Sequence, residues 1–196
     1  PDVIAVDSGG HFTSEVYAYT RDRRKHGVIA IKGSSIKNQS PIGKGKKLDL
    51  NWKGRTIKKG AELFTVGTDT IKTTLFSRLR HVEEGAGYLH FNINADEEYF
   101  KQLTAEKQVI RYVKGFPVRE WVKKSSARNE ALDTLVYAYA ALQRLYQKRD
   151  RRTIWDNYEE RGLIKGKIKE NKSDKAYISE LRSRKKAQKP KFISQW

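Results

Sequence analysis

The sequence predicts an α/β fold. Val3-Ile4-Ala5-Val6 and Val28-Ile29-Ala30-Ile31 are short unbroken apolar runs of the kind buried in parallel sheets. A helical stretch joins them, and strand, helix, strand with short joints is the pattern of a parallel crossover. Further on, Ala127 to Leu142 is rich in Ala and Leu and free of Gly and Pro, the strongest helix signal in the chain.

The first strand stops at Asp7-Ser8-Gly9-Gly10, and a helix opens at Thr13 or Ser14 and runs toward Lys25, with Gly27 as its C-cap. Asp7 then stands at the carboxyl end of a strand, where sites in open α/β sheets collect. It also suits turn formation, and both readings stand at this point. From Lys32 to Lys59 the chain is polar, glycine-punctuated and strongly basic, with Asp49 as its acid, and reads as a flexible loop holding a short strand around Leu48-Asp49-Leu50 and Trp52. Leu63 to Val66 resumes strand character. A helix follows from Ile71 to about Arg80, with Thr68 or Asp69 as its N-cap.

Tyr88 to Ile93 alternates like a half-exposed strand, and Asp96 to Leu103 reads as a short helix. Gln108 to Val113 and Val118 to Val122 flank Gly115-Phe116-Pro117 as a hairpin. Lys123 to Arg128 is a basic loop leading into the Ala127–Leu142 helix. Residues 1–146 form the expected domain. Residues 147–196 are a basic tail in which Ile154, Trp155, Tyr158 and Leu163 form a turn and helix, and Lys165 to Lys191 is too polar to fold by itself.

Composition narrows the chemistry. The 196 residues carry 41 Lys and Arg against 23 Asp and Glu, a net charge of +18, which favours a polyanionic partner such as nucleic acid. There is no cysteine, so disulfides and thiolate metal sites are excluded. The absence of Met suggests a piece of a longer chain. No run approaches the roughly 20 apolar residues of a membrane span. Histidines 11, 26, 81 and 90 lack zinc-site spacing, and no phosphate loop or nucleophile elbow is present.

What remains is a set of carboxylates. Glu130 and Asp133 lie three residues apart on one helix face, with Tyr137 one turn on. They read either as first-turn acids complementing the helix dipole or, with Asp7, as ligands to a cation. Carboxylates gathered without a counter-charge repel, and Mg²⁺ or Mn²⁺ relieves this with hard-oxygen coordination. In a strongly basic protein that combination points to phosphodiester hydrolysis.

Five segments follow one another with compatible gaps: Val6-Asp7-Ser8-Gly9-Gly10, Ile29-Ala30-Ile31-Lys32-Gly33-Ser34-Ser35, Val66-Gly67-Thr68-Asp69-Thr70-Ile71-Lys72, Leu103-Thr104-Ala105-Glu106-Lys107-Gln108-Val109 and Arg128-Asn129-Glu130-Ala131-Leu132-Asp133. Together, over roughly Val3 to Leu145, they resemble the carboxyl-terminal nuclease domain of lambda-type (gpA-like) large terminase subunits of phages. The resemblance implies an RNase H-like mixed sheet flanked by helices. It also implies a two-metal endonuclease that cuts concatemeric phage DNA in the bacterial host cytoplasm, working with a small terminase subunit and the capsid portal. Asp7 matches the acid on a middle strand, Asp133 the acid on the late helix, and Glu130 an auxiliary metal ligand. Lys32, Lys44, Lys46, Lys47, Lys53, Arg55, Lys123, Lys124 and Arg128 are the expected contacts to phosphates of double-stranded DNA. No segment matches the strand with the family's leading aspartate, so the sheet is expected to lack its first strands. The alternatives are a DNA-binding or portal-docking module without catalysis, and another RNase H-like nuclease such as a resolvase or transposase.

Overall fold

A computed structural model describes residues 1–161. They fall into two compact units, Pro1–Arg149 and one that starts at Asp150.

The first unit is built on a mixed sheet. β1 (Ile4–Asp7), β2 (Val28–Gly33), β3 (Lys46–Trp52) and β4 (Arg55–Val66) are ordered β1-β2-β4-β3. β1 is parallel to β2, with Asp7 opposite Ile31, and β2 is parallel to β4; β3 runs antiparallel along the edge. The expected crossover is formed by α1 (Thr13–Asp22), a 3₁₀ turn at Arg24–His26, and Gly27. Gly27 has φ of 78°, a left-handed conformation that costs a residue without Cβ little.

Helices cover both faces of the sheet. α1 lies over β2, β3 and β4, where Ala18 packs with Leu50 and Ala61. On the other face lie α2 (Thr68–Arg78), α3 (Glu97–Leu103) and α4 (Glu130–Lys148). Ile31, Phe64, Val66, Ile71, Leu75, Leu103, Leu132 and Val136 are each no more than 1% exposed and form the main core between this layer and the sheet. α4 is amphipathic, not apolar all round: Leu132, Val136 and Ala140 are buried, while Glu130, Thr134 and Ala138 face solvent. Truncating Leu132 to Ala would open a cavity costing about 2–5 kcal/mol.

The basic stretch is a correction to the expected loop. Lys46 to Val66 is a long β3–β4 hairpin turning at Lys53-Gly54, where both residues have positive φ (50° and 72°). This is the geometry of a two-residue turn matched to strand twist. Leu50, Trp52 and Ile57 pack beneath α1, and that burial holds a polar stretch in strand form. Tyr88 to Ile93 is likewise no strand: it follows an irregular path on which the Phe91 ring meets Tyr99 and Phe100 at 6.2 and 5.3 Å. Nor do Thr68 and Asp69 cap α2. Gly67 is the N-cap, closely packed on the backbone of Gln39 and Ser40, and the Thr68 hydroxyl donates to the Ser34 carbonyl at 3.2 Å.

β5 (Glu106–Val113) and β6 (Phe116–Lys123) form a separate two-stranded ribbon whose turn is Lys114-Gly115, both at positive φ, not the expected Gly115-Phe116-Pro117: Phe116 and Pro117 already pair with Val113 and Tyr112 in β6. In the second unit, α5 (Ile154–Glu160) buries Ile154 and Tyr158, with the Trp155 and Tyr158 rings 5.8 Å apart. Leu163 and the stretch Lys165 to Lys191 lie outside the described residues.

Candidate functional site

At the carboxyl end of β1 the chain leaves the sheet under tight control. The Ser8 amide and hydroxyl both donate to the Ile31 carbonyl at 2.8 Å, and Ser8 is 2% exposed. Asp7 Oδ1 accepts from the Gly9 amide at 2.9 Å, and Thr13 Oγ1 donates to the Ser8 carbonyl at 3.0 Å. One carboxylate oxygen of Asp7 therefore makes the turn. The other, Oδ2, accepts from the Tyr137 hydroxyl at 3.4 Å, across 130 sequence positions. The turn reading of Asp7 holds for Oδ1, while Oδ2 is left to face α4.

Tyr137 lies four residues after Asp133 on α4, so the same helical stripe presents Asp133 and a donor to Asp7. Asn129, which precedes the helix, turns its side chain away from capping. Its Nδ2 donates to Asp133 Oδ2 at 3.1 Å and to Glu106 Oε1 at 2.9 Å. Glu106 opens β5, is 7% exposed, and receives Lys72 Nζ from α2 at 2.9 Å on each carboxylate oxygen. Lys72 also reaches Asp133 Oδ1 at 4.0 Å. Five elements thus meet: the end of β1, α2, the start of β5, the loop before α4, and α4 itself.

The electrostatics follow from this crowding. Burial raises the Asp133 carboxyl above its ordinary 3.8; Lys72 opposes the shift, and the charges of Glu106, Glu130 and Asp7 add to it. Tyr137 is pushed up to about 12, first by burial and then by the Asp7 and Asp133 charges and its bond to Asp7. It stays a hydrogen-bond donor throughout the neutral range. Glu130 is exposed in the first turn of α4 and fits the helix-dipole reading, whereas Asp133 is engaged in the cluster.

This constellation coincides with a family assignment. The model of the terminase large subunit gpA endonuclease domain matches residues 1–154. The chain belongs to that family. It is 35% identical over 147 residues to the terminase large subunit of Escherichia phage lambda, covering 71% of this chain and 22% of the relative. It is 34% identical over 149 residues to the terminase large subunit of Enterobacteria phage P21, with the same coverage of each. The chain therefore spans about 22% of the length of these relatives. No solved structure matches it.

Other expected residues of this terminase-family chain are placed unevenly. Lys123 pairs with Glu106 across the ribbon and its Nζ donates to the Ala127 carbonyl at 2.7 Å; Lys124 and Arg128 are exposed in the same loop. Lys32 is at the cluster's end of the sheet, but alternation directs it to the face opposite Ile31. Lys44 precedes the edge strand that Lys46 and Lys47 open. Lys53 and Arg55 sit in and beside the β3–β4 turn, about 35 Å along β4 from the cluster's end by strand rise. Lys72, Glu106 and Asn129 were not expected in the site. Each lies within a segment that carries the family resemblance, and that was their available signal.

The donor chemistry fits a hard divalent cation. Asp7 is exposed and Asp133 half-buried, so both carboxylates reach solvent, and Mg²⁺ typically binds through one or two carboxylates while keeping its waters. Among the described residues, no three His, Cys, Asp or Glu side chains form a ready-made metal cluster. Glu106 is occupied by Lys72 and Asn129. A cavity of about 460 Å³ adjoins the cluster, lined by Ser34, Lys37, Thr68, Lys72, Glu106 and Lys123 among others. Among the described residues no helix is long and apolar enough to cross a membrane.

Proposed function

We propose that this chain is the nuclease piece of a viral DNA-packaging terminase, hydrolysing phosphodiester bonds of double-stranded DNA in the host cytoplasm. The observation that carries the reading is the meeting of Asp7 and the Asp133–Tyr137 stripe of α4 at one sheet end. An acid at a strand end facing an acid on a late helix, with helices on both faces of a mixed sheet, also supports an RNase H-like reading of the fold.

Asp7 and Asp133 would hold Mg²⁺ or Mn²⁺, with exposed Glu130 as an auxiliary donor. When bound, such ions supply an activated water and charge stabilisation for the leaving oxygen, a division of labour that two ions perform in related chemistry. The chain's own residues prepare the site. Tyr137 holds Asp7 Oδ2, Asn129 holds Asp133 Oδ2, and Lys72 offsets part of the carboxylate charge while anchoring Glu106. Lys123, Lys124 and Arg128 border the cluster and would take phosphates near the cut. Lys32, Lys44, Lys46, Lys47, Lys53 and Arg55 would extend contact along the duplex, giving affinity a steep salt dependence. The small terminase subunit and the portal are the partners proposed for the whole motor.

The test is conversion of supercoiled plasmid to nicked and linear forms at low salt with Mg²⁺ or Mn²⁺. The parent chain should cut and Asp133→Asn should not. Equal cutting by both would remove Asp133 from the site. DNA binding without cutting by either would make this piece a DNA-binding module.

A further inference from the structure

The β5–β6 ribbon is rooted in the cluster yet exposes its outer half. Glu106 and Lys123 pair at its base, and Trp121 packs on Phe76 of α2 with ring centroids 4.7 Å apart. Lys37 donates to the Arg119 carbonyl at 2.8 Å, fixing the ribbon's direction. Beyond that point large apolar side chains stand in solvent: Ile110 is 60% exposed, Tyr112 75%, Val113 49% and Phe116 73%. An isolated two-stranded ribbon is marginal in water, and exposed apolar groups grouped in this way mark a contact surface.

Charge identifies the kind of partner. Lys107, Arg111, Lys114 and Arg119 lie along the ribbon, and its acid beyond the base, Glu120, is already met by Arg111 at 3.3 Å and Lys37 at 3.5 Å. Register puts Ile110, Tyr112 and Arg119 on the same ribbon face as Glu106, so this surface continues from the catalytic cluster. Dimensions agree. Eight residues per strand give a ribbon about 26 Å long, and a two-stranded ribbon fits a major groove about 12 Å wide.

We propose that the outer half of the β5–β6 ribbon enters the major groove of duplex DNA flanking the cut site, Ile110 and Tyr112 making apolar contacts to base edges while Arg119 and Lys114 meet phosphates. The tip is about 26 Å from Glu106, or about seven to eight base pairs at the duplex rise of 3.4 Å. The inference rests on the nuclease reading above and adds to it a second point of grip on the substrate.

The test uses the whole chain, a duplex of about 30 base pairs (enough to span both contacts), and Ile110→Ser/Tyr112→Ser. Both positions are solvent-exposed, so the fold should survive, as circular dichroism would show. Affinity without divalent ions should fall about tenfold, the size expected for losing apolar base contacts. The salt slope should be unchanged, because no phosphate-binding cation is removed. With Mg²⁺, KM should rise while kcat stays within about twofold. Because the chain has no cysteine, Lys114→Cys and Lys25→Cys each take one environment-sensitive dye. The Lys114→Cys dye should respond to duplex and the Lys25→Cys dye should not. Parent-like binding and cutting by the double variant, or a silent Lys114→Cys dye with DNA bound, would overturn the proposal and assign the surface to a protein partner. A parent chain that neither binds nor cuts DNA would instead overturn the nuclease reading, and this inference with it.

Discussion

Replacing Lys72 by Met removes the cation shared by Glu106 and Asp133. The Lys72 side chain is 13% exposed and that of Glu106 7%, so the pair is screened little by solvent. Removing one partner of a buried ion pair strands the other and costs about 3–5 kcal/mol. Asn129 still donates to Glu106 Oε1, which favours the lower end, about 3 kcal/mol. For a unit of this size that corresponds to a fall in Tm of about 6–12 °C. Glu106→Gln should cost less, about 1–2 kcal/mol, because Lys72 keeps Asp133 at 4.0 Å and the amide oxygen still accepts from Asn129. The double variant Lys72→Met/Glu106→Gln leaves neither charge stranded and should lose only about 1–2 kcal/mol in total, a coupling of about 3 kcal/mol. Urea unfolding of the four proteins, followed by tryptophan fluorescence, reads these values. Additive losses of about 4–5 kcal/mol, or a Lys72→Met cost below about 1 kcal/mol, would refute the view of Lys72 as the cluster's counter-charge.

Asp133→Asn should melt slightly higher than the parent at neutral pH. The folded-state pKa of Asp133 is raised, so the favourable contribution is complete below 3.8 and lost as pH rises through the raised value, leaving a repelled carboxylate at pH 7. The gain should be small because the side chain is 43% exposed, and it should vanish in melts recorded near pH 3. Parent cleavage should fall as pH drops through the same raised value, since a protonated carboxyl is a poor cation ligand, and a plasmid assay between pH 4 and 8 (spanning about the carboxylate range) checks it. Tyr137→Phe should leave stability within about 1 kcal/mol, the net worth of one long hydrogen bond, but reduce kcat several-fold by releasing Asp7. The parent's kcat should show no step from Tyr137 between pH 7 and 9, because that hydroxyl titrates at about 12. Ser8→Ala should cost about 1 kcal/mol by urea unfolding, through loss of the buried bond to Ile31.

The parts legible in the sequence are those set by local pattern. β1 and β2 are unbroken apolar runs between turn residues, α4 is a long Ala- and Leu-rich stretch, and the β5–β6 hairpin was legible from its β-rich flanks, though not the place of its turn. The long β4 was hidden because Arg55 to Lys59 are mostly exposed, and the ladder with β3 depends on burial of Leu50 and Ile57 beneath α1. Tyr88 to Ile93 shows the reverse failure: its alternation is real, but its rings pack on one another and on α3, not on a sheet. In the site, Asp7 and Asp133 were readable from a strand end and a helix stripe. Lys72 and Glu106 were not, since their pairing joins α2 to the first residue of a ribbon and leaves no periodic trace in either segment.

The most direct measurement of the central claim is Mn²⁺ binding, followed by electron paramagnetic resonance without DNA, in the parent chain, Asp7→Asn and Asp133→Asn. If both carboxylates share one cation, each substitution alone should weaken the same site by about tenfold or more, consistent with loss of a ligand. Unchanged Mn²⁺ affinity in either variant would contradict a site built from Asp7 and Asp133 together.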